Sequence, residues 1–194
     1  MPLSRLLLFS VIDERTTIRF HETFGDLAFP IHGHAIGLRD LGPNQQPMNA
    51  FLTLTGIETL PLRMQRHCEN GGKIAKFLKT HPKVGKVYWP GFEDHPNHDI
   101  AKEQMSGFGG MISFTTVEGT LESAVKVVEK LKVFTLAESL GGVESLAGHP
   151  ASMTHASIPE AERLKTGVVD SLVRLSVGIE DDEDLIEDLK QALG

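Results

Sequence analysis

The chain predicts an α/β domain of short strands with helices packed beside them, and three observations carry that expectation. Residues 171–181 alternate strictly, which puts Val173, Leu175 and Val177 on one side of a strand and Leu172, Arg174 and Ser176 on the other. Residues 62–78 place Met64, Cys68, Gly71, Ala75 and Leu78 at helical spacing, and residues 120–131 do the same with Leu121, Ala124, Val125, Val128 and Leu131. Strand-like and helix-like stretches then follow one another to the end of the chain, as in one sheet covered by helices.

Residues 1–19 look unlike the rest. Within them, Leu6-Leu7-Leu8-Phe9-Ser10-Val11-Ile12 sits at the short limit for a signal core, but Asp13-Glu14-Arg15 follows without a small-residue cleavage pattern, so no signal peptide is expected. Leu41-Gly42-Pro43 breaks the chain, and Pro47 suits the first turn of a helix. Residues 48–58 are apolar on most sides, as a buried helix would be. Pro61 kinks or restarts that helix, and the amphipathic helix from Leu62 ends before Pro82. Four strands are expected at 84–89, 110–116, 133–137 and 171–178. Helices are expected at 97–104, 120–131 and 159–165, with a last one from about 182 that buries Leu185, Ile186, Leu189 and Leu193. The acidic run Glu180, Asp181, Asp182, Glu183, Asp184 reads as the capping turn of that last helix.

Composition bounds the function. At 194 residues and 40% hydrophobic content, one domain with a sizeable core is expected, alone or with an appended piece. A net charge of −7 argues against nucleic acid or an anionic membrane as the main partner. The single cysteine, Cys68, has no internal partner, which fits a reducing cytoplasm, and its place on the helix predicts a buried small hydrophobe. No apolar run is long enough to span a membrane. Nine histidines raise a metal reading, but neither His32 with His34 nor His95 with His98 has further ligands at zinc-site spacing, so no metal is expected. His67 and Arg66 read as solvent or interface groups. Gly107-Phe108-Gly109-Gly110 leads into an apolar strand rather than a helix, which makes it a strand entry, not a phosphate loop. Ser123-Ala-Val-Lys126 has the Ser-x-x-Lys spacing of serine β-lactamases but lies mid-helix without that chemistry's companion motifs.

Arg174 carries the sharpest chemical signal, because an arginine fixed on a strand offers a planar two-pronged donor to a carboxylate. Its segment Val-Arg-Leu-Ser-Val-Gly is preceded by Ala137-Glu138-Ser139-Leu140-Gly141-Gly142-Val143-Glu144-Ser145-Leu146 and His149-Pro150-Ala151-Ser152-Met153-Thr154-His155. That string resembles the C-terminal domain of the pyridoxal-phosphate enzymes of Cys/Met metabolism, among them cystathionine γ-lyase, cystathionine γ-synthase, methionine γ-lyase and O-acetylhomoserine sulfhydrylase. The resemblance starts near Phe20 and implies three parts: an unmatched leader at 1–19, a remnant of the large-domain and linker region at 20–60, and a substrate-clamping domain at 61–194. It also implies the small C-terminal domain of a fold-type-I enzyme, with a mostly antiparallel sheet of short strands behind a long linking helix. Residues 20–98 look closer to O-acetylhomoserine sulfhydrylase and 138–155 closer to cystathionine γ-lyase, which leaves the sulfur amino acid open.

The same resemblance assigns roles. Arg174 would grip the substrate α-carboxylate, with the bland alternative of a half-exposed strand arginine. Ser139 would add hydrogen bonds beside it or serve only as a turn-former before glycine. Glu138 would face the substrate side chain or be a solvated acid, and Thr154 would be a substrate-side or structural hydroxyl. The implied cofactor is pyridoxal 5'-phosphate, and the implied reaction is γ-elimination or γ-replacement on a homoserine-derived amino acid. In the family the cofactor acts as electron sink and a lysine in a Ser-x-x-Lys context moves protons. Nothing in residues 1–194 matches that lysine segment or the family's other cofactor anchors, Ser123–Lys126 included. The chain is therefore expected to be inactive alone, as a truncation or a mis-called start. The alternative is an interaction module that pairs with itself or with a full-length relative through an exposed apolar surface at Phe51, Leu52, Leu54 and Ile57.

Overall fold

The structure is a computed structural model, and it describes residues 47–194. The leader, the break at Leu41-Gly42-Pro43 and the pair His32 and His34 lie outside the described residues. The chain divides into two units, Met1–Pro61 and Leu62–Gly194.

In the first unit, helix α1 spans Pro47–Glu58. It opens on proline, whose missing N–H costs nothing in a first turn. The sequence predicts a buried helix here, but none of its residues is buried, and Met48, Phe51 and Leu52 are each at least 60% exposed. Apolar composition carries no information about what covers a helix, so the pattern reads the same with or without a partner.

The second unit is entered through helix α2, Leu60–Thr80, with Pro61 in its first turn. Its buried face is His67, Asn70, Gly71, Ile74, Ala75 and Leu78, a regular i, i+3, i+4 stripe. That stripe corrects three expectations. Met64 is 42% exposed and Cys68 only partly buried, while His67 is 95% buried and its Nδ1 meets Val177 O at 2.6 Å. Arg66 is half-buried, with Nη2 donating to Glu180 O at 3.3 Å. Polar residues share the buried face because the backbone past residue 176 leaves carbonyls pointing at the helix. Asn70 Nδ2 serves two of them, Gly178 O at 3.0 Å and Glu180 O at 2.8 Å. Gly71 is a packing necessity, because a Cβ there would lie 2.4 Å from Gly109 O.

After α2 come strand β1 (Val84–Tyr88), helix α3 (His98–Gln104), strand β2 (Met111–Thr116) and helix α4 (Leu121–Lys130). Strands β3 (Thr135–Leu136) and β4 (Leu146–Gly148), helix α5 (Glu160–Lys165), strand β5 (Leu172–Ser176) and helix α6 (Asp182–Leu193) complete the unit. The sheet order is β1-β2-β5-β4-β3. It is mixed: β1 with β2, β2 with β5 and β5 with β4 run antiparallel, and β3 with β4 parallel. Five strands replace the expected four. The extra one, β4, is only three residues long and carries two small ones, Ala147 and Gly148, so it has little alternation to read.

Register fixes the two faces. Phe114 pairs with Val173, and Ile112 and Ala147 both pair with Leu175, so these side chains share one face. Against that face pack Ile74, Ala75 and Leu78 of α2, Ala124, Val127 and Val128 of α4, and Leu185, Leu189, Ala192 and Leu193 of α6. Thr120 caps α4 by accepting from Ser123 N, and Asp181 caps α6 by accepting from Glu183 N. Glu180 does not join that cap as expected; it turns inward to Ser145.

Candidate substrate-carboxylate site

The face of the sheet away from the helices is polar at its centre. On β5, which has a neighbour on each side, Arg174 lies directly between Ser113 of β2 and Gly148 of β4. Leu172 and Ser176 flank it on the same face and are both buried, which leaves Arg174 as the half-buried member of an otherwise closed row. Gly148 beside it presents no side chain to compete for the space. It also admits the chain behind: a Cβ on Gly148 would lie 3.1 Å from Ala137 O.

Arg174 Nη2 donates to Glu138 O at 3.0 Å and to Ser139 O at 3.2 Å. A carboxylate that binds two-pronged uses one N–H of this nitrogen in either approach, so it must compete with one of these carbonyls. The shallow cleft in front is lined by Arg174, Glu138, His149, Pro150, Met153 and Thr154 among others. Three of the four residues singled out in the sequence thus line one cleft, and the fourth, Ser139, reaches Arg174 through its carbonyl. The Glu138, Ser139 and Thr154 side chains are exposed, and Thr154 Oγ1 shares a 2.8 Å hydrogen bond with His155 Nδ1.

Two loops are held in place by residues to which the sequence gives no role in the site. The first, 138–145, is pinned at Gly141, whose N–H donates to Ser176 Oγ at 2.8 Å. At its far end Ser145 N and Oγ donate to the two oxygens of Glu180 at 2.6 and 2.8 Å, and Ser145 Oγ accepts from Gly178 N at 2.8 Å. The second loop starts at His149, whose side chain is 99% buried. Its Nε2 meets Asp170 O at 2.6 Å, so Nε2 carries the proton, and Nδ1 accepts from Ser152 Oγ at 2.7 Å and Ser152 N at 3.3 Å. Asp170 is itself held by Arg163, whose Nη2 reaches Oδ1 at 2.6 Å while Nη1 donates to Val168 O at 2.8 Å. Ser176 could have been found by alternation, since it shares the face of Arg174. Glu180 and Arg163 carry no such signal.

Residues 11–194 match the family model described as Cys/Met metabolism PLP-dependent enzyme. A protein named cystathionine beta-lyase from Coxiella burnetii is 55% identical over 153 residues, 79% of this chain and 39% of that protein. Cystathionine gamma-lyase of Mus musculus is 52% identical over 153 residues, 79% of this chain and 38% of the relative. Cystathionine beta-lyase of Lactococcus lactis subsp. cremoris is 59% identical over 148 residues, 76% of this chain and 38% of the relative. The chain thus spans less than two-fifths of the length of these relatives.

Proposed function

The chain belongs to the Cys/Met metabolism PLP-dependent enzyme family, and from that premise we propose that the Leu62–Gly194 unit is the part of such an enzyme that holds the α-carboxylate of a sulfur amino acid. The observation that carries this reading is Arg174, fixed on an interior strand with its guanidinium at the mouth of a cleft. Glu138 and Thr154 stand on the rim, where they face whatever extends from the carboxylate. The relatives are named for cystathionine cleaved at either the β or the γ side. A cystathionine-like or homoserine-derived amino acid is accordingly the proposed substrate class, with elimination or replacement at its side chain as the reaction of the whole enzyme.

The family's cofactor is pyridoxal phosphate, which needs an amine to bond its aldehyde. The cleft lining holds Arg174 and His149 as its nitrogen side chains, with no lysine among the described residues that form it. These residues do not fit the cofactor, and no step is assigned through it. What they can do is bind and orient: neutralise a carboxylate, fix its plane and present one edge of the amino acid to the cleft. Turnover by this chain alone is not expected.

The test is a titration of the labelled chain with L-homoserine and with L-homoserine amide, followed at the Arg174 side-chain N–H and the backbone amides of 137–139 and 149–154. Shifts that saturate with the acid but not the amide are expected. Replacing Arg174 by Met should weaken the acid about 10- to 100-fold, the worth of a charged hydrogen-bond pair. Equal response to acid and amide, or an unchanged response in the variant, would overturn the reading.

A second reading concerns assembly. Helix α1 leaves Met48, Phe51 and Leu52 in solvent, an apolar face suited to a second copy or to a full-length relative.

A further inference from the structure

On the opposite, helical side of the sheet lies a second cavity, of about 220 Å³, distant in the fold from the Arg174 cleft. Its floor is apolar, made of Val127 of α4 and Ala192 and Leu193 of α6, all at least 93% buried. Its rim carries three lysines: Lys83 in the α2–β1 turn, and Lys126 and Lys130 one turn apart on α4. Among the described residues, Lys73, Lys79, Lys165 and Lys190 each reach a carboxylate; Lys83, Lys126 and Lys130 form no ion pair, as is also true of Lys76, Lys86, Lys102 and Lys132, but only these three line one cavity. One carboxylate, Glu118, lines the same cavity. Like charges at i, i+4 disfavour a helix, and a third cation nearby adds to that cost unless an anion is bound between them. The concentration of positive charge is the more pointed in a chain whose net charge is −7. The field reaches the neighbouring turn as well: His81 titrates below the ordinary histidine value, first because it loses solvent and then because Lys83 is close.

The hydroxyls in the wall are already committed. Ser123 Oγ donates to Thr120 O at 2.7 Å and shares a hydrogen bond with Thr116 Oγ1. Recognition in the cavity must therefore come from the ammonium groups and the apolar floor. Ammonium groups act on phosphate as point charges, without the fork geometry a planar carboxylate prefers. The volume is below that of sites for larger ligands, so the body attached to the anion must be small.

We propose that this cavity binds a small organic phosphate monoester, its dianion held by Lys83, Lys126 and Lys130 and its carbon body against Val127, Ala192 and Leu193. The proposal is independent of the carboxylate site, and it is tested on the full chain. Glycerol 3-phosphate, inorganic phosphate and glycerol are titrated in about 50 mM salt, where surface charges are weakly screened, and amide shifts are read at residues 116–118 and 126–130.

Saturable shifts with glycerol 3-phosphate are expected, with weaker binding of inorganic phosphate and none of glycerol. The double variant Lys126→Gln/Lys130→Gln changes two exposed side chains and, with the like-charge repulsion removed, should unfold at a temperature no lower than the wild type. It should bind the ester at least about tenfold more weakly, the loss expected for two direct charge contacts. A control variant, Lys165→Gln, alters net charge elsewhere and should leave the affinity as it is. No saturable shift with the ester, an affinity unchanged in the double variant, or an equal loss in the control would each overturn the site. So would inorganic phosphate binding as tightly as the ester.

Discussion

Arg174 shows how little freedom a positioned guanidinium keeps. Its Nη2 already serves two backbone carbonyls, so the side chain is aimed before any ligand arrives. Lysine would keep the charge and lose the fork, and Arg174→Lys should therefore bind a substrate carboxylate about tenfold less well, measured by the same homoserine titration. Support for the loop comes from Ser176. Replacing it by Ala removes the acceptor for Gly141 N–H, and the expected result is faster hydrogen exchange at Gly141 with a loss of about 1 kcal/mol in stability. His149 is held at both ring nitrogens in a buried position, so His149→Ala should cost about 2–4 kcal/mol in denaturant unfolding. In the sequence His149 is one residue of the stretch 149–155, and its partner Asp170 lies 21 positions away with no local pattern linking the two.

At the scale of elements, two joints decide whether the helices sit correctly on the sheet. One is Asp188 of α6, 96% buried, whose carboxylate accepts from Lys132 N, Val133 N and Phe134 N at 2.8–3.0 Å and from Gln191 Nε2 at 3.0 Å. Burial alone would push its pKa up, but the three backbone N–H groups and the amide outweigh that and leave it below the ordinary carboxylate value. The folded pKa is the lower one, so this stabilisation is fully present above the unfolded value of about 3.9 and is lost as pH falls through the folded value. An Asp188→Asn variant should accordingly be less stable by about 1–3 kcal/mol at neutral pH, and the gap should narrow below about pH 4 in urea melts. The other joint is Gly71 of α2 against Gly109 O. Gly71→Ala forces backbone apart, and overpacking of this kind should cost about 1–3 kcal/mol despite alanine's better helix propensity.

For the whole molecule, the proposed assembly rests on α1. A face presenting Met48, Phe51 and Leu52 to water favours association, and sedimentation at increasing concentration should show the chain growing beyond a monomer. Changing Phe51 and Leu52 to Glu should return it toward a monomer; a monomer at every concentration in the unaltered chain would count against an interaction role. Among the described residues no helix is long and apolar enough to cross a membrane.

Read alone, the sequence determined the parts of this protein that repeat along the chain: the alternation that makes β5, the presence of helices α2, α4 and α6 though not each residue of their buried faces, and the glycine-rich entry to β2. Those are local, because a backbone period of two or of 3.6 residues is written directly into side-chain order. The motif residues also point to the family on their own. Tertiary structure alone decided that His67 and Asn70 lie inside rather than out, because only the folded chain brings the carbonyls of 177–180 over that face of α2. It decided that Glu180 leaves the helix cap for Ser145, and that three residues around Gly148 form a strand. It also gathered Lys83, Lys126 and Lys130 around one cavity from separate segments. Contacts between distant segments depend on where the backbone returns, and that is a property of the packed sheet, which no local pattern encodes.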